Sequence, residues 1–148
     1  ARASLDTEID RLLNDGKLTQ EQVDMIDRKT LNEFLSTKLI DRIIASQLVM
    51  REKRFTARLK PSDVFDEYKG VKTDVTVIIQ GAVDLAFVED GKLVIVDYKT
   101  DRVKDITKLA GLYKKQLYLY KSAMEQSEEL TVKECILCSI HLGAYITV

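Results

Sequence analysis

The chain has 148 residues and a mass of 16.9 kDa, a length that suits one domain with its own core. Hydrophobic residues make up 45% and charged residues 32%, with one proline and six glycines, an ordinary globular balance that excludes collagen-like and low-complexity classes. The 23 basic and 24 acidic residues leave a net charge of −1, so any attraction for nucleic acid must be local or come from another polypeptide.

No apolar run approaches the ~18 residues of a membrane span, and no charged-then-apolar leader opens the chain. Two cysteines, Cys135 and Cys138, and one histidine, His141, are too few for a disulfide framework, so a reducing cytoplasm is the default. The first residue is Ala1 rather than Met, and Tyr145 to Val148 still read as a strand, which suggests a fragment of a longer protein.

Residues 1–47 read as a helical N-terminal portion. Leu5, Ile9, Leu12 and Leu13 fall at helical spacing, with Ser4 as N-cap and Gly16 as the stop. Thr19 with Gln22, and Thr30 with Glu33, have capping-box spacing. Leu31 to Ile44 carries a third apolar-periodic stretch that ends near Ser46.

Residues 48–148 read differently. Leu48 to Leu59 alternates charged and apolar residues like a half-exposed strand, until Pro61-Ser62-Asp63 breaks it. Val75 to Val88 is a second strand, in which Gly81 signals a bulge or a close approach. Asp90-Gly91, between Val88 and Leu93, predicts a two-residue type I′ hairpin. With those two residues as the loop, Val88 pairs with Leu93, Leu85 with Val96, and next Asp84 with Asp97. Directly opposed residues lie about 4.5–5.5 Å apart at Cβ, and like charges there repel. A shared proton, a neighbouring cation or a divalent metal must compensate.

Lys99 shares the face of Asp97 two residues on. Paired carboxylates suit Mg²⁺, and a neighbouring lysine can neutralise charge developing on a phosphoryl group. The spacing alone fits equally a phosphodiester-cleaving site or a plain ion cluster in which Lys99 pairs with Asp97.

From Ile106 to Met124 an apolar stripe at helical spacing predicts a long helix, bordered by Gln116 and bearing Lys104, Lys108, Lys114, Lys115 and Lys121. Cys135 and Cys138 have redox-motif spacing but lie in a strand pattern, so they face opposite sides and read as structural thiols. His141 reads as a strand-end residue, and Glu52 as a solvent-facing strand charge ahead of the alternative, an acid that supports the metal ligands from behind. No Gly-x-x-x-x-Gly-Lys-Ser/Thr loop is present, so no NTPase site is visible.

The ordered set Gly81-Ala82-Val83-Asp84, Asp97-Tyr98-Lys99-Thr100-Asp101 and Gln116-Leu117-Tyr118-Leu119-Tyr120 resembles the PD-(D/E)XK nuclease superfamily. It is most similar to the RecB-like nuclease domain at the C-terminus of the AddA subunit of AddAB-type ATP-dependent helicase–nucleases. Arg51-Glu52-Lys53-Arg54-Phe55 resembles that family's Arg-Glu-x-Pro-Phe strand, with Arg54 where proline is usual. The resemblance implies an α/β fold with a restriction-endonuclease-like mixed sheet flanked by helices, residues 48–148 forming the nuclease core.

By the same resemblance Asp84, Asp97 and Lys99 would be catalytic. Asp84, Asp97 and the Tyr98 carbonyl would bind Mg²⁺, with Mn²⁺ as a substitute and no iron–sulfur cluster. Gln116 and Tyr120 would support the site or contact DNA. The implied activity is metal-dependent exonuclease cleavage of DNA in bacterial double-strand-break repair, in the cytoplasm and away from membranes. The implied partners are DNA, a helicase portion of the same parent chain and a second, AddB-like subunit. The alternative is an inactive nuclease-fold module for DNA guidance or docking. The family also carries a histidine metal ligand on a helix upstream of these motifs, where this chain has none. That departure implies weak metal binding and little activity for the 148 residues alone.

Overall fold

The computed structural model describes residues 4–148; the first three residues of the 1–47 helical portion lie outside the described residues. Four helices open the chain: α1 (Leu5–Asn14), α2 (Gln20–Asp24), α3 (Arg28–Leu35) and α4 (Lys38–Ala45). The Ser4 side chain caps α1 by accepting from the Thr7 amide, and Gly16 takes the left-handed conformation that stops it, φ +67°. Thr19 and Gln22 form the reciprocal capping box of α2.

Two expectations here are corrected. The cap of α3 is Asp27, whose carboxylate accepts from both the amide and the hydroxyl of Thr30. Thr30 therefore sits inside the helix and makes no box with Glu33. The stretch Leu31 to Ile44 is two helices, because the Ser36 and Thr37 hydroxyls bond back to the Asn32 and Phe34 carbonyls and end α3 before α4 begins.

The sheet has five strands in the order β1 (Val49–Leu59), β2 (Val77–Glu89), β3 (Lys92–Lys99), β4 (Val132–Ser139) and β5 (Ala144–Thr147). Pro61 starts the short helix α5 (Pro61–Val64) directly after β1. Every neighbouring pair of strands is antiparallel except β3 and β4, which run parallel and are joined by the long helix α6 (Ile106–Glu128). The β2–β3 turn is the expected one: Asp90 and Gly91 have φ of +53° and +71°, and the pairing runs from Glu89↔Lys92 to Leu85↔Val96.

Each face of the sheet carries its own core. Under α6 lie Phe55, Val83, Ala86, Leu93, Ile95, Leu137 and Cys135, packed on Leu109, Leu117, Ala123 and Met124. On the other face Leu85, Phe87, Val94, Val96, Ile136 and Cys138 meet Phe34, Leu39 and Ile40 of α3 and α4. Residues buried on both faces explain the unbroken apolar run of β3. A fully buried side chain such as Leu109 or Leu117 contributes about 1.5–3 kcal/mol. The two cysteines divide between the faces as their spacing requires. Burial pushes the Cys135 thiol up to about 11 and the Cys138 thiol up to about 12, so both are inert packing groups. Lys104 precedes α6 rather than lying on it. No helix among the described residues is long and apolar enough to cross a membrane.

Candidate active site

The most unusual polar group in the molecule is Asp97. Its residue is 3% exposed, and Oδ2 is buried with no hydrogen bond. The ammonium of Lys99 stands 2.8 Å from that oxygen as an ion pair outside hydrogen-bonding geometry. Burial pushes the Asp97 carboxyl above the usual carboxylate range, Lys99 opposes the shift, and the charge of Asp84 adds to it. Burial would lower the Lys99 ammonium, but the Asp97 carboxylate outweighs it and the net direction is upward.

Strand alternation puts Leu93, Ile95, Asp97 and Lys99 on the α6 side. Lys99 reaches α6, where Nζ donates to Gln116 Oε1 at 3.0 Å, and Gln116 Nε2 donates to the Tyr120 hydroxyl at 2.9 Å. Tyr120 packs edge-on against Phe55, 5.6 Å between ring centres. Gln116 is therefore a satisfied amide that fixes Lys99. The ring of Tyr113 lies 4.2 Å from Lys99 Nζ, and its hydroxyl donates to Asp101 at 3.1 Å. The apolar stripe of the sequence shows Tyr113 only as core. The signal that marks it is its position three residues before Gln116 and seven before Tyr120, on one helix face.

Asp84 is placed differently from the expected pairing. The β2–β3 ladder ends at Leu85↔Val96, so Asp84 and Asp97 hold the next positions without forming a ladder pair. The Asp84 carboxylate meets β3 instead: Oδ2 accepts from the Tyr98 amide at 2.7 Å. Asp84 lines an opening of about 700 Å³ with Arg51, Glu52, Leu85 and Tyr98. The Tyr98 phenol is pushed up to about 12, chiefly by burial, and packs edge-on to Phe34. Asp84, Asp97, Lys99, Gln116 and Tyr120 thus gather where β2 and β3 part.

The donor set is hard oxygen, and a buried carboxylate oxygen with no hydrogen bond is the kind of atom a hard cation satisfies. No cluster of three or more His, Cys, Asp or Glu able to hold a metal occurs among the described residues. His141 lies outside this group, in the turn after β4, lining a separate cavity with Met25, Thr100 and Arg102.

Residues 2–144 match the family described as the PD-(D/E)XK nuclease superfamily. The chain is 29% identical over 143 residues to the A-subunit of the ATP-dependent helicase/nuclease of Clostridium acetobutylicum, covering 95% of this chain and 11% of that protein. It is 32% identical over 142 residues to the protein so named from Clostridium botulinum, with the same coverage. Identity is again 32%, over 146 residues, to that of Geobacillus thermodenitrificans, with 93% of this chain and 12% of that one covered. The chain thus spans about a tenth of the length of these relatives. The crystal structure of SSO0001 aligns with 95% of this chain and 60% of its own, at 17% identity and a TM-score of 0.44.

Proposed function

The chain belongs to the PD-(D/E)XK nuclease superfamily, and on that premise we propose that it hydrolyses phosphodiester bonds of DNA within a bacterial helicase–nuclease that resects broken ends. Asp84 and Asp97 would hold a divalent cation, Mg²⁺ or in its place Mn²⁺, with the Tyr98 carbonyl as a further oxygen donor. Such a cation, when bound, lowers the pKa of water and neutralises phosphate charge. The observation that carries this reading is the Asp97–Lys99 pair: a buried carboxylate oxygen 2.8 Å from an ammonium held by Gln116.

Each side chain then has a task. Lys99 presents a positive charge to the scissile phosphate and stabilises the charge that develops there. Gln116, anchored by Tyr120, fixes the direction of Nζ. Asp84 holds the Tyr98 amide, which sets the backbone on which both Asp97 and Lys99 stand. The apolar walls under α6 keep the pair out of bulk water, where its interactions are strongest.

The test is digestion of linear DNA, single- and double-stranded, by the full-length helicase–nuclease, with Mg²⁺ and in chelator. Asp97→Asn and Lys99→Ala should each abolish cleavage while circular dichroism shows a folded chain. Cleavage that survives either substitution overturns the reading. A second reading is a nuclease fold that guides DNA or docks the AddB-like subunit without cutting. It requires DNA binding that metal and Asp97→Asn leave unchanged, with no cleavage by the parent protein.

A further inference from the structure

We infer that Glu52 is a positioning residue whose left-handed backbone holds Asp84 out of the sheet ladder, so that the Asp84 carboxylate can grip the Tyr98 amide. The inference rests on the reading of Asp84 and Asp97 as the active centre.

Glu52 lies in β1 with φ +48°, a conformation rare for a residue with a side chain and most unusual inside a strand. The β1–β2 pairing runs unbroken on both sides of it, Arg51↔Leu85 and Lys53↔Val83, and skips only Glu52 and the facing Asp84. No residue is inserted, because the register is the same before and after.

Side-chain alternation slips at the same point in both strands. Val83 and Ala86 both pack under α6, although residues three apart in a regular strand face opposite sides. Met50 and Phe55, five apart, also share that face. The two strands therefore kink together at Glu52 and Asp84. As the β2–β3 ladder ends at Leu85, Asp84 has no ladder partner on either side. Its carboxylate supplies the contact to Tyr98 in their place.

A break in alternation needs a residue to leave the extended region, and a strained residue persists where the surroundings enforce it. Glu52 is that residue, and it borders the same opening as Asp84 and Tyr98. Its carboxylate is exposed, so the backbone angle is the part of Glu52 that acts. The Arg-Glu-x-x-Phe stretch is then a kink at Glu52 followed by Phe55, which props Tyr120.

Substitutions that differ in tolerance for positive φ separate backbone from side chain. Glu52→Gly and Glu52→Asn accept the left-handed region, whereas Glu52→Val, being β-branched, resists it. Amide exchange at Tyr98 in the metal-free chain is the first readout, and Mn²⁺ affinity by calorimetry the second. Glycine and asparagine should leave Tyr98 exchange and Mn²⁺ affinity within about threefold of the parent, as long as the left-handed angle is kept. Valine should speed Tyr98 exchange and weaken Mn²⁺ at least about tenfold, since it forces an extended angle. If Glu52→Val does not fold, Glu52→Ala carries the same expectation in milder form.

Valine or alanine indistinguishable from the parent overturns the inference, as does loss in the glycine and asparagine variants equal to that of valine. Failure of the full-length helicase–nuclease to cut DNA would instead sink the nuclease reading. The Tyr98 exchange pattern would still decide the role of Glu52.

Discussion

Replacing Lys99 by methionine keeps most of the apolar stem of the side chain and deletes its charge. Three contacts vanish together: the 2.8 Å ion pair with Asp97, the 3.0 Å bond to Gln116 and the ring contact with Tyr113. The side chains of Lys99 and Asp97 are only 15% and 4% exposed, so solvent screens the pair little. Removing one partner of a buried ion pair costs about 3–5 kcal/mol. For a chain of this size that is a fall in Tm of roughly 10 °C.

The loss must depend on pH. The Asp97 carboxyl is already raised by burial, and without Lys99 it rises further. A raised acid contributes its stability below its unfolded pKa and loses it as pH rises through the folded value. In Lys99→Met, Asp97 relieves itself by taking a proton when the pH is low and cannot when it is high. Calorimetric melts in chelator should therefore show the full deficit at pH 8 and a much smaller one near pH 4.5. Adding Asp97→Asn to Lys99→Met should recover most of the deficit at pH 8. Equal melting of parent and variant at pH 8, or a deficit larger in acid than in base, would refute the argument.

Gly81→Ala places a Cβ 2.7 Å from Phe55 Cζ and should cost about 1–3 kcal/mol in urea melts, through overpacking that also disturbs Tyr120. Gly111→Ala, which meets nothing within 4 Å inside α6, should instead stabilise by about 0.5–1 kcal/mol. Glu89 is held down to about 2, first by Arg42 and then by Lys133. A depressed acid stabilises above its unfolded pKa and loses that stability as pH falls through the folded one. Glu89→Gln should thus be less stable than the parent at pH 7 in urea titrations and no different from it near pH 2.

The sheet is legible in the sequence where one local rule decides it. Asp90-Gly91 sets a turn whose twist fits only one register, and β3, apolar at every position from Leu93 to Val96, can only be buried on both faces. The Ser4 and Thr19 caps and the Gln116 helix are legible for the same reason. The break at Ser36 and Thr37 is not, because Leu35 and Leu39 keep the helical period across it and only hydroxyl-to-carbonyl bonds reveal the stop. The pairing of Asp84 escapes the sequence because strand alternation assumes extended angles, and Glu52 breaks that assumption from another strand. The motif residues of the candidate site can all be named from sequence. Tyr113 is marked only by sharing the helix face of Gln116 and Tyr120, since a ring on an apolar stripe does not by itself reveal the ammonium it faces.

The site owes its position to a change of partner along β3. Up to Val96 the strand is paired on both sides, but Asp97, Tyr98 and Lys99 are paired only to Leu137, Cys138 and Ser139 of β4. The parallel ladder holds these three residues on one side, while the β2 side is open beside Asp84. On that side the Asp84 carboxylate accepts from the Tyr98 amide, a hydrogen bond to a charged group and so worth about 1.5–3 kcal/mol. Asp84→Ala removes the link without touching the β4 ladder. Amide exchange should then quicken at Tyr98 by about tenfold or more, tenfold being the equivalent of about 1.4 kcal/mol. Neighbouring β3 amides bonded into the ladders, such as Val96, should keep their parent rates. Uniform acceleration along β3 would mean that the strand opens as one unit and that the two sides of the site are not mechanically distinct.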